Sequence, residues 1–323
     1  AMLDRNNNED VYLRLAGVLA LAESQYAAKM ANLQTHPSQA VRLAAVLVLR
    51  RMDSPFIADF LEDLDDQVAT EAARAIHDGR IKSSGFGDNE GSMDRLAQSL
   101  SAARTIPWQK RAISANKMVH GCDESVRVAE FAADTSKPES MRILAMQALR
   151  NWSPSVQGNR DIVEGRIIPL GHMTLVCIEG IEESLKELLS NATGDLLIEV
   201  LRFAHEHNRT IPEALCEELV LDEAMSMQIR AYALQKSTNE RLYEFALGSP
   251  HWQLRAGARD VLMKQHDQVA EQLLLEAINN GEVFEAQEAI KTLAGFPQAF
   301  SKINKVVLRD EVQLEYAEAM NAD

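Results

Sequence analysis

The chain has 323 residues, with 33 basic and 48 acidic side chains and a formal net charge of −15. That balance argues against a long cationic track for nucleic acid, and no run of about 18 apolar residues offers a membrane span. Only 5% of residues are aromatic, and Gly and Pro number 15 and 9, a composition that suits closely packed helices better than a β-rich fold.

Helical periodicity begins at residues 9–22, read as a single helix without a full partner. Helix pairs follow at 24–35 with 38–52 and at 54–63 with 67–78. Pro37-Ser38 supplies a stop and a cap for the second helix of the first pair. That helix has almost no polar face through Val41, Leu43, Ala44, Val46, Leu47 and Val48, so it must be covered on several sides. A Gly-rich insertion occupies 79–92, and pairs resume at 93–105 with 107–120 and at 123–135 with 138–151. A second insertion, 152–172, carries a β-prone run at Arg166-Ile167-Ile168 and reads as a loop or small hairpin. Further pairs are expected at 174–190 with 194–207, 211–222 with 226–237, 239–248 with 251–265 and 267–280 with 283–294. A polar pair at 297–308 and 310–320 closes the array.

One pattern recurs through these pairs. It is clearest as VRLAAVLVLRRM at 41–52 and places an arginine near the start of each second helix: Arg14, Arg42, Arg111, Arg142, Arg230 and Arg255, with Glu71 at the matching place in one copy. The steps are 28 residues from Arg14 to Arg42, 29 to Glu71, 31 from Arg111 to Arg142 and 25 from Arg230 to Arg255. Such a period signals one array of stacked supersecondary units over 1–323, not one globular core. The arginines read as a structural ladder along the stack, with Asp66, Asp123, Glu139 and Asp222 as partners by position. A row of arginines holding an anionic ligand is the alternative, which the acidic composition disfavours.

Catalytic and metal-binding patterns are weak. His205-Glu206-His207 spaces two histidines so that they diverge on a helix. His120 with Cys122, and His172 with Cys177, each provide two ligands where zinc needs three or four. Cys122, Cys177 and Cys216 are far apart, contain no CxxC, and read as buried free thiols. The run Glu62-Asp63-Leu64-Asp65-Asp66 reads as a solvated cluster complementing the next helix dipole, and His77-Asp78 as a helix C-terminus. The glycines at 85–91 match no phosphate-binding loop, so no catalytic residue, metal or cofactor is expected. Trp108, Trp152 and Trp252 lie at repeat turns, where large side chains seal junctions. The insertions hold the candidate interaction residues, Phe86 and Asp88 in the first and Trp152, Arg160 and Arg166 in the second.

The segments EAARAIHD (71–78), LAQSL (96–100), KRAISANKMVHG (110–121), MRILAMQALRNWSPS (141–155) and NRDIVEGRIIPLG (159–171) occur in an order that carries a resemblance. Together they resemble the HEAT-repeat region of large secreted haem-binding proteins of planctomycetes and verrucomicrobia, over about residues 40–175. In that family a sugar-dehydrogenase-like propeller precedes the array and a c-type cytochrome module follows it. This chain has no CxxCH and no strand-rich repeats, so none of the family's haem or sugar sites maps onto it.

The expected fold is therefore all-α, a HEAT-like α-α superhelix of antiparallel helix pairs interrupted near 79–92 and 152–172. The expected role is a non-enzymatic scaffold or protein-interaction module, in the resembled family one that links propeller and cytochrome. Its partners are a protein or the flanking domains of the parent chain. Periplasmic or secreted localisation follows from the resemblance alone, because Ala1-Met2 reads as a vector-derived start ahead of an excised segment. The alternatives are a HEAT-like enzyme acting on DNA bases, which needs a basic concave face, and a bilin-lyase-like chromophore chaperone, which needs a deep apolar groove.

Overall fold

The structure is a computed structural model that describes residues 1–79, 81, 91–152, 160–170, 176–265 and 268–296. Phe86 and Asp88 of the first insertion, and the polar pair expected at 297–320, lie outside the described residues. The fold is all-α, with one two-stranded sheet among the described residues. The chain divides into two compact units, Ala1–Val200 and Leu201–Asp323.

Helix α1 (Met2–Asn6) precedes the opening helix that periodicity indicated, α2 (Val11–Glu23). Asp10 caps α2 by accepting the amides of Tyr12 and Leu13 at 2.7 and 3.1 Å. The first pair is α3 (Ala27–Ala31), continued by a 3-10 turn at Asn32–Thr35, with α4 (Gln39–Arg51). Ser38 stands at the N-cap of α4, but its side chain makes no cap bond. Its amide donates instead to Nδ1 of His36 at 3.1 Å. The second pair opens with a 3-10 helix, Pro55–Glu62, followed by α5 (Asp66–Gly79). α4 is buried almost all round because α2, α3, this 3-10 helix and α5 all pack on it. Pairs then continue as α6 (Ser92–Gln98) with α7 (Ile106–Val119), and α8 (Cys122–Ala133) with α9 (Glu139–Arg150). A hairpin of β1 (Arg160–Val163) and β2 (Arg166–Pro169) precedes α10 (Glu182–Asn191) and α11 (Gly194–Glu206).

Two rows result in the first unit. The second helices α4, α5, α7 and α9 pack in succession, and the 3-10 helix 55–62, α6, α8 and α10 form the companion row. Each row covers the apolar face of the other, which is how a repeat unable to bury its own face becomes stable by stacking. Trp108 and Trp152 are among the largest fully buried side chains, and the Trp108 indole donates to Ser99 Oγ at 2.9 Å. The second unit repeats the scheme with α12 (Glu213–Leu221) and α13 (Met227–Lys236), α14 (Glu240–Leu247) and α15 (Trp252–Lys264), and α16 (Gln268–Asn280) and α17 (Val283–Ala294). Here α13, α15 and α17 pack in succession. Trp252 is half-buried and stacks on Phe284 at 5.9 Å between ring centres.

The reading of all three cysteines as free thiols is corrected for two of them. Cys122 and Cys177 form a disulfide across 55 residues, their Cα atoms 4.9 Å apart. Sequence spacing hides the pairing because the repeat topology brings the start of α8 beside the segment leading into α10. Gly180 permits that approach, since a Cβ there would lie 2.6 Å from Val126 Cγ2 and 3.3 Å from Cys177 Sγ. Cys216 is buried and free, and burial pushes its thiol up to about 12, which leaves it unreactive at neutral pH.

Candidate functional site

The marker arginines divide into three kinds. Arg42, Arg111 and Arg255 grip carboxylates: Arg42 holds Asp63 at 2.7 and 3.1 Å, Arg111 holds Asp78 at 3.1 and 3.2 Å, and Arg255 holds Glu285 at 2.6 and 2.9 Å. Each also donates to a backbone carbonyl at the start of its own helix, His36, Pro107 and Ser249 respectively, and is thereby locked in one rotamer. Arg142 and Arg230 reach back to the ends of the preceding helices, donating to Ala132 at 2.7 Å and Val220 at 2.9 Å, where terminal carbonyls lack helical partners. Arg14 makes only a long contact, 3.5 Å to Asn8. At Glu71 the polarity inverts, and this carboxylate takes Arg50 from α4 at 2.8 Å.

The partners anticipated from position differ from those observed. Asp66 takes Arg104 at 2.6 Å, whereas Asp63, three residues earlier, is the acid that reaches Arg42. The carboxylate run is accordingly not a merely solvated cluster. Asp63 is buried in its ion pair, and Asp65 caps α5 through the amides of Gln67 and Val68, both at 3.0 Å. His77, read as a dipole-favoured helix end, is buried with Nδ1 3.1 Å from Asp78 Oδ1.

The second insertion is anchored on this arginine system. Its register pairs Asp161 with Ile168, Ile162 with Ile167 and Val163 with Arg166. Glu164 (φ +50°) and Gly165 (φ +76°) form the two-residue turn, both in the left-handed region that matches hairpin twist. Glu164 is an uncommon residue there. Lys110 on α7 holds it by donating at 2.7 Å, and that bond keeps the Glu164 carboxyl below its usual range. Strand alternation turns Asp161, Val163, Arg166 and Ile168 to one face. Val163 and Ile168 are buried, Asp161 lies 3.6 Å from the Lys117 ammonium, and Arg166 lies 3.2 Å from Asp78. Burying the two aliphatic residues contributes roughly 2 kcal/mol each, which matters because an isolated two-stranded hairpin is marginal in water.

Asp78 is the hub. Its carboxylate is almost wholly buried, with Arg111, Arg166 and Arg74 within 3.1, 3.2 and 3.8 Å. Burial alone pushes its pKa up, but hydrogen bonds from His77 and Arg111 outweigh that and hold it well below the usual carboxylate range.

The opposite hairpin face carries Arg160, Ile162, Ile167 and Pro169, all exposed. Ile162 and Ile167 are cross-strand partners and leave 72% and 60% of their surface open. Of the candidate interaction residues, Arg160 is on this outer face, whereas Arg166 is half-exposed with its guanidinium turned to Asp78. Trp152 is corrected: it is buried and presents no surface to a partner.

Between the hairpin and helices α7 and α9 lies a cavity of about 380 Å³. Lys110, Ser114 and Lys117 of α7, Gln147 of α9 and Asn151 at its C-cap line it with Asp161 and Glu164 of the hairpin. These residues were missed in the sequence. The available signal was polar residues at helical spacing interrupting two otherwise apolar helices. Ser114 is buried, and its hydroxyl has no hydrogen-bond partner among the described residues.

In the second unit, His205 lies 6.2 Å from Tyr232 between ring centres, and burial lowers its imidazole pKa. No group of three or more His, Cys, Asp or Glu stands ready for a metal ion among the described residues. No described helix is long and apolar enough to cross a membrane.

No protein-family model and no curated protein matches the chain. Among solved structures, an engineered protein aligns over 95% of this chain and 90% of its own at 15% identity, with a TM-score of 0.42. A likeness of that size carries no argument about function.

Proposed function

We propose that this chain is a non-enzymatic interaction module, a rigid helical-repeat scaffold that presents the hairpin at 160–169 to a protein partner. The exposed Ile162–Ile167 pair carries the reading. Two aliphatic side chains are held in water on one face of a hairpin whose other face is latched by two buried aliphatics and three ion pairs. Irregular segments on a rigid array are where recognition concentrates, and preorganisation lowers the entropic cost of docking. In the family that the sequence resembles, the partners are a dehydrogenase-like propeller and a cytochrome c module of the same parent chain. The Cys122–Cys177 disulfide supports a secreted or periplasmic setting, because such bonds persist in oxidising compartments.

The test is to produce the segments flanking this one in its parent gene as separate proteins and measure their affinity for the chain. Ile162→Ser with Ile167→Ser is expected to weaken binding at least about 10-fold while leaving the melting temperature unchanged. Undiminished binding by the double variant, or turnover of a substrate by the chain alone, overturns the proposal.

A further inference from the structure

We propose that the cavity between the hairpin and helices α7 and α9 binds a small zwitterion with the chemistry of a free apolar amino acid. Its carboxylate is held by Lys117 and Ser114, its ammonium by Asp161, and its apolar body by Ile113, Leu144 and Ala148. This inference does not depend on partner binding at the outer face of the hairpin.

Lys110, Ile113, Ser114 and Lys117 follow the i, i+3, i+4, i+7 spacing and share one face of α7. Leu144, Gln147 and Ala148 of α9 and Asn151 at its C-cap repeat that spacing. The two stripes line one groove, and β1 with the turn at Glu164 walls it. Its volume of about 380 Å³ falls in the range of small-molecule sites, about 300–1,000 Å³. Ionic groups stand at the two ends of the α7 stripe, Lys110 with Glu164 and Lys117 with Asp161, with apolar surface between them.

The Lys117 end is incomplete. Lys117 is only 5% exposed, yet its ammonium stands 3.6 Å from Asp161 Oδ2, beyond direct hydrogen-bond distance. Ser114, one turn earlier on the same face, is 1% exposed, and its hydroxyl has no partner among the described residues. Native interiors seldom leave a buried hydroxyl such as that of Ser114 without a partner. Lys117 and Ser114 together present adjacent donors, which is what a carboxylate accepts. Asp161 engages the Ile162 amide through Oδ1 at 3.1 Å, while Oδ2 lies toward Lys117, where a ligand ammonium would meet it.

Charge selects the ligand class. Two lysines and two carboxylates line the cavity, so a ligand with net charge would leave one buried charge uncompensated. A zwitterion lying alongside the Lys117–Asp161 pair, its carboxylate to Lys117 and its ammonium to Asp161, keeps every charge paired. The aliphatic wall then favours an apolar side chain over a polar one.

The experiment is calorimetric titration of the whole chain with L-leucine, 4-methylpentanoate and 3-methylbutylamine, three ligands with nearly the same body and both charges, only the negative one, or only the positive one. Leucine is expected to bind saturably with Kd below about 1 mM, and each single-charge analogue at least about 10-fold more weakly. Lys117→Met and Asp161→Asn are each expected to weaken leucine binding by a similar factor. Amide shifts on leucine addition are expected at 110–117 and 144–151. No saturable leucine binding up to about 10 mM, equal binding of leucine and 4-methylpentanoate, or shifts confined to other helices would each overturn the proposal. The ligand series uses the unaltered protein, so it decides the matter even if a variant fails to fold.

Discussion

Two arginine–carboxylate hubs, one in each unit, use the same chemistry at opposite ends of a helix. Glu285 stands in the first turn of α17, where the helix dipole favours negative charge, and Arg255 and Arg259 both reach it. Asp78 is the penultimate residue of α5, where the dipole disfavours it, and three arginines surround it. One of the three, Arg166, comes from the inserted hairpin. The hub in the second unit joins helix to helix, whereas the hub in the first compensates an awkwardly placed acid and thereby fastens an insertion to the array. A repeat-stabilising contact has become an attachment point.

The disulfide is the largest perturbation that should separate the units. By the chain-entropy relation for a loop of that length, Cys122→Ser is expected to cost about 4 kcal/mol. Hydrogen exchange should record the loss in α8 and α10, and equal losses in α15 and α17 would erase the distinction. Next in size is Asp78→Ala, expected to cost about 3–4 kcal/mol because it leaves the buried Arg111 unpaired. Urea unfolding measures the cost, and amide exchange of the hairpin should rise with it. Glu285→Ala is expected to cost less, about 1–3 kcal/mol, because Arg255 is half-buried and keeps Glu282 and the carbonyls of Ser249 and Pro250, so that the cost falls chiefly on Arg259. A larger loss at Glu285 than at Asp78 would reverse the ranking of the two hubs.

Acid provides a finer comparison. Asp78 and Glu285 are both held below their usual ranges, in each case against the opposing effect of burial, by hydrogen bonds from His77 and Arg111 and from Arg255 and Arg259 respectively. Their stabilisation is thus complete above the unfolded values, about 3.9 for Asp and 4.3 for Glu, and is lost as pH falls toward the depressed folded values. Arg111→Met is expected to move the acid-unfolding midpoint, followed by circular dichroism, to higher pH. The smallest expected effect is Arg166→Ala, under about 1 kcal/mol for a half-exposed partner, visible as faster exchange of the Val163 and Ile168 amides and little else. No change there would mean that Arg166 does not latch the hairpin.

Much of this architecture is legible in the chain. The spacing of Arg42, Arg111, Arg142, Arg230 and Arg255 locates the second helices within a residue or two of α4, α7, α9, α13 and α15. Pro107 falls in the first turn of α7, where a missing N–H costs nothing. Arg166-Ile167-Ile168 locates β2. The 3-10 form of 55–62 was not legible, because periodicity indicates an apolar face without distinguishing the tighter helix. Nor was the cavity, since Lys110, Ser114 and Lys117 read along the chain as ordinary polar interruptions of α7.

Local chemistry, therefore, determined the helices, their caps and the period at which they repeat, because side-chain periodicity and turn residues act over a few positions. Tertiary structure alone decided which acid each arginine meets, that Cys122 finds Cys177, and that a hairpin walls a cavity over α7 and α9. Those contacts join residues far apart in the chain, 21 positions for Arg42 with Asp63 and 55 for the disulfide. Such partners are chosen by how the repeats stack, and no local pattern encodes that choice.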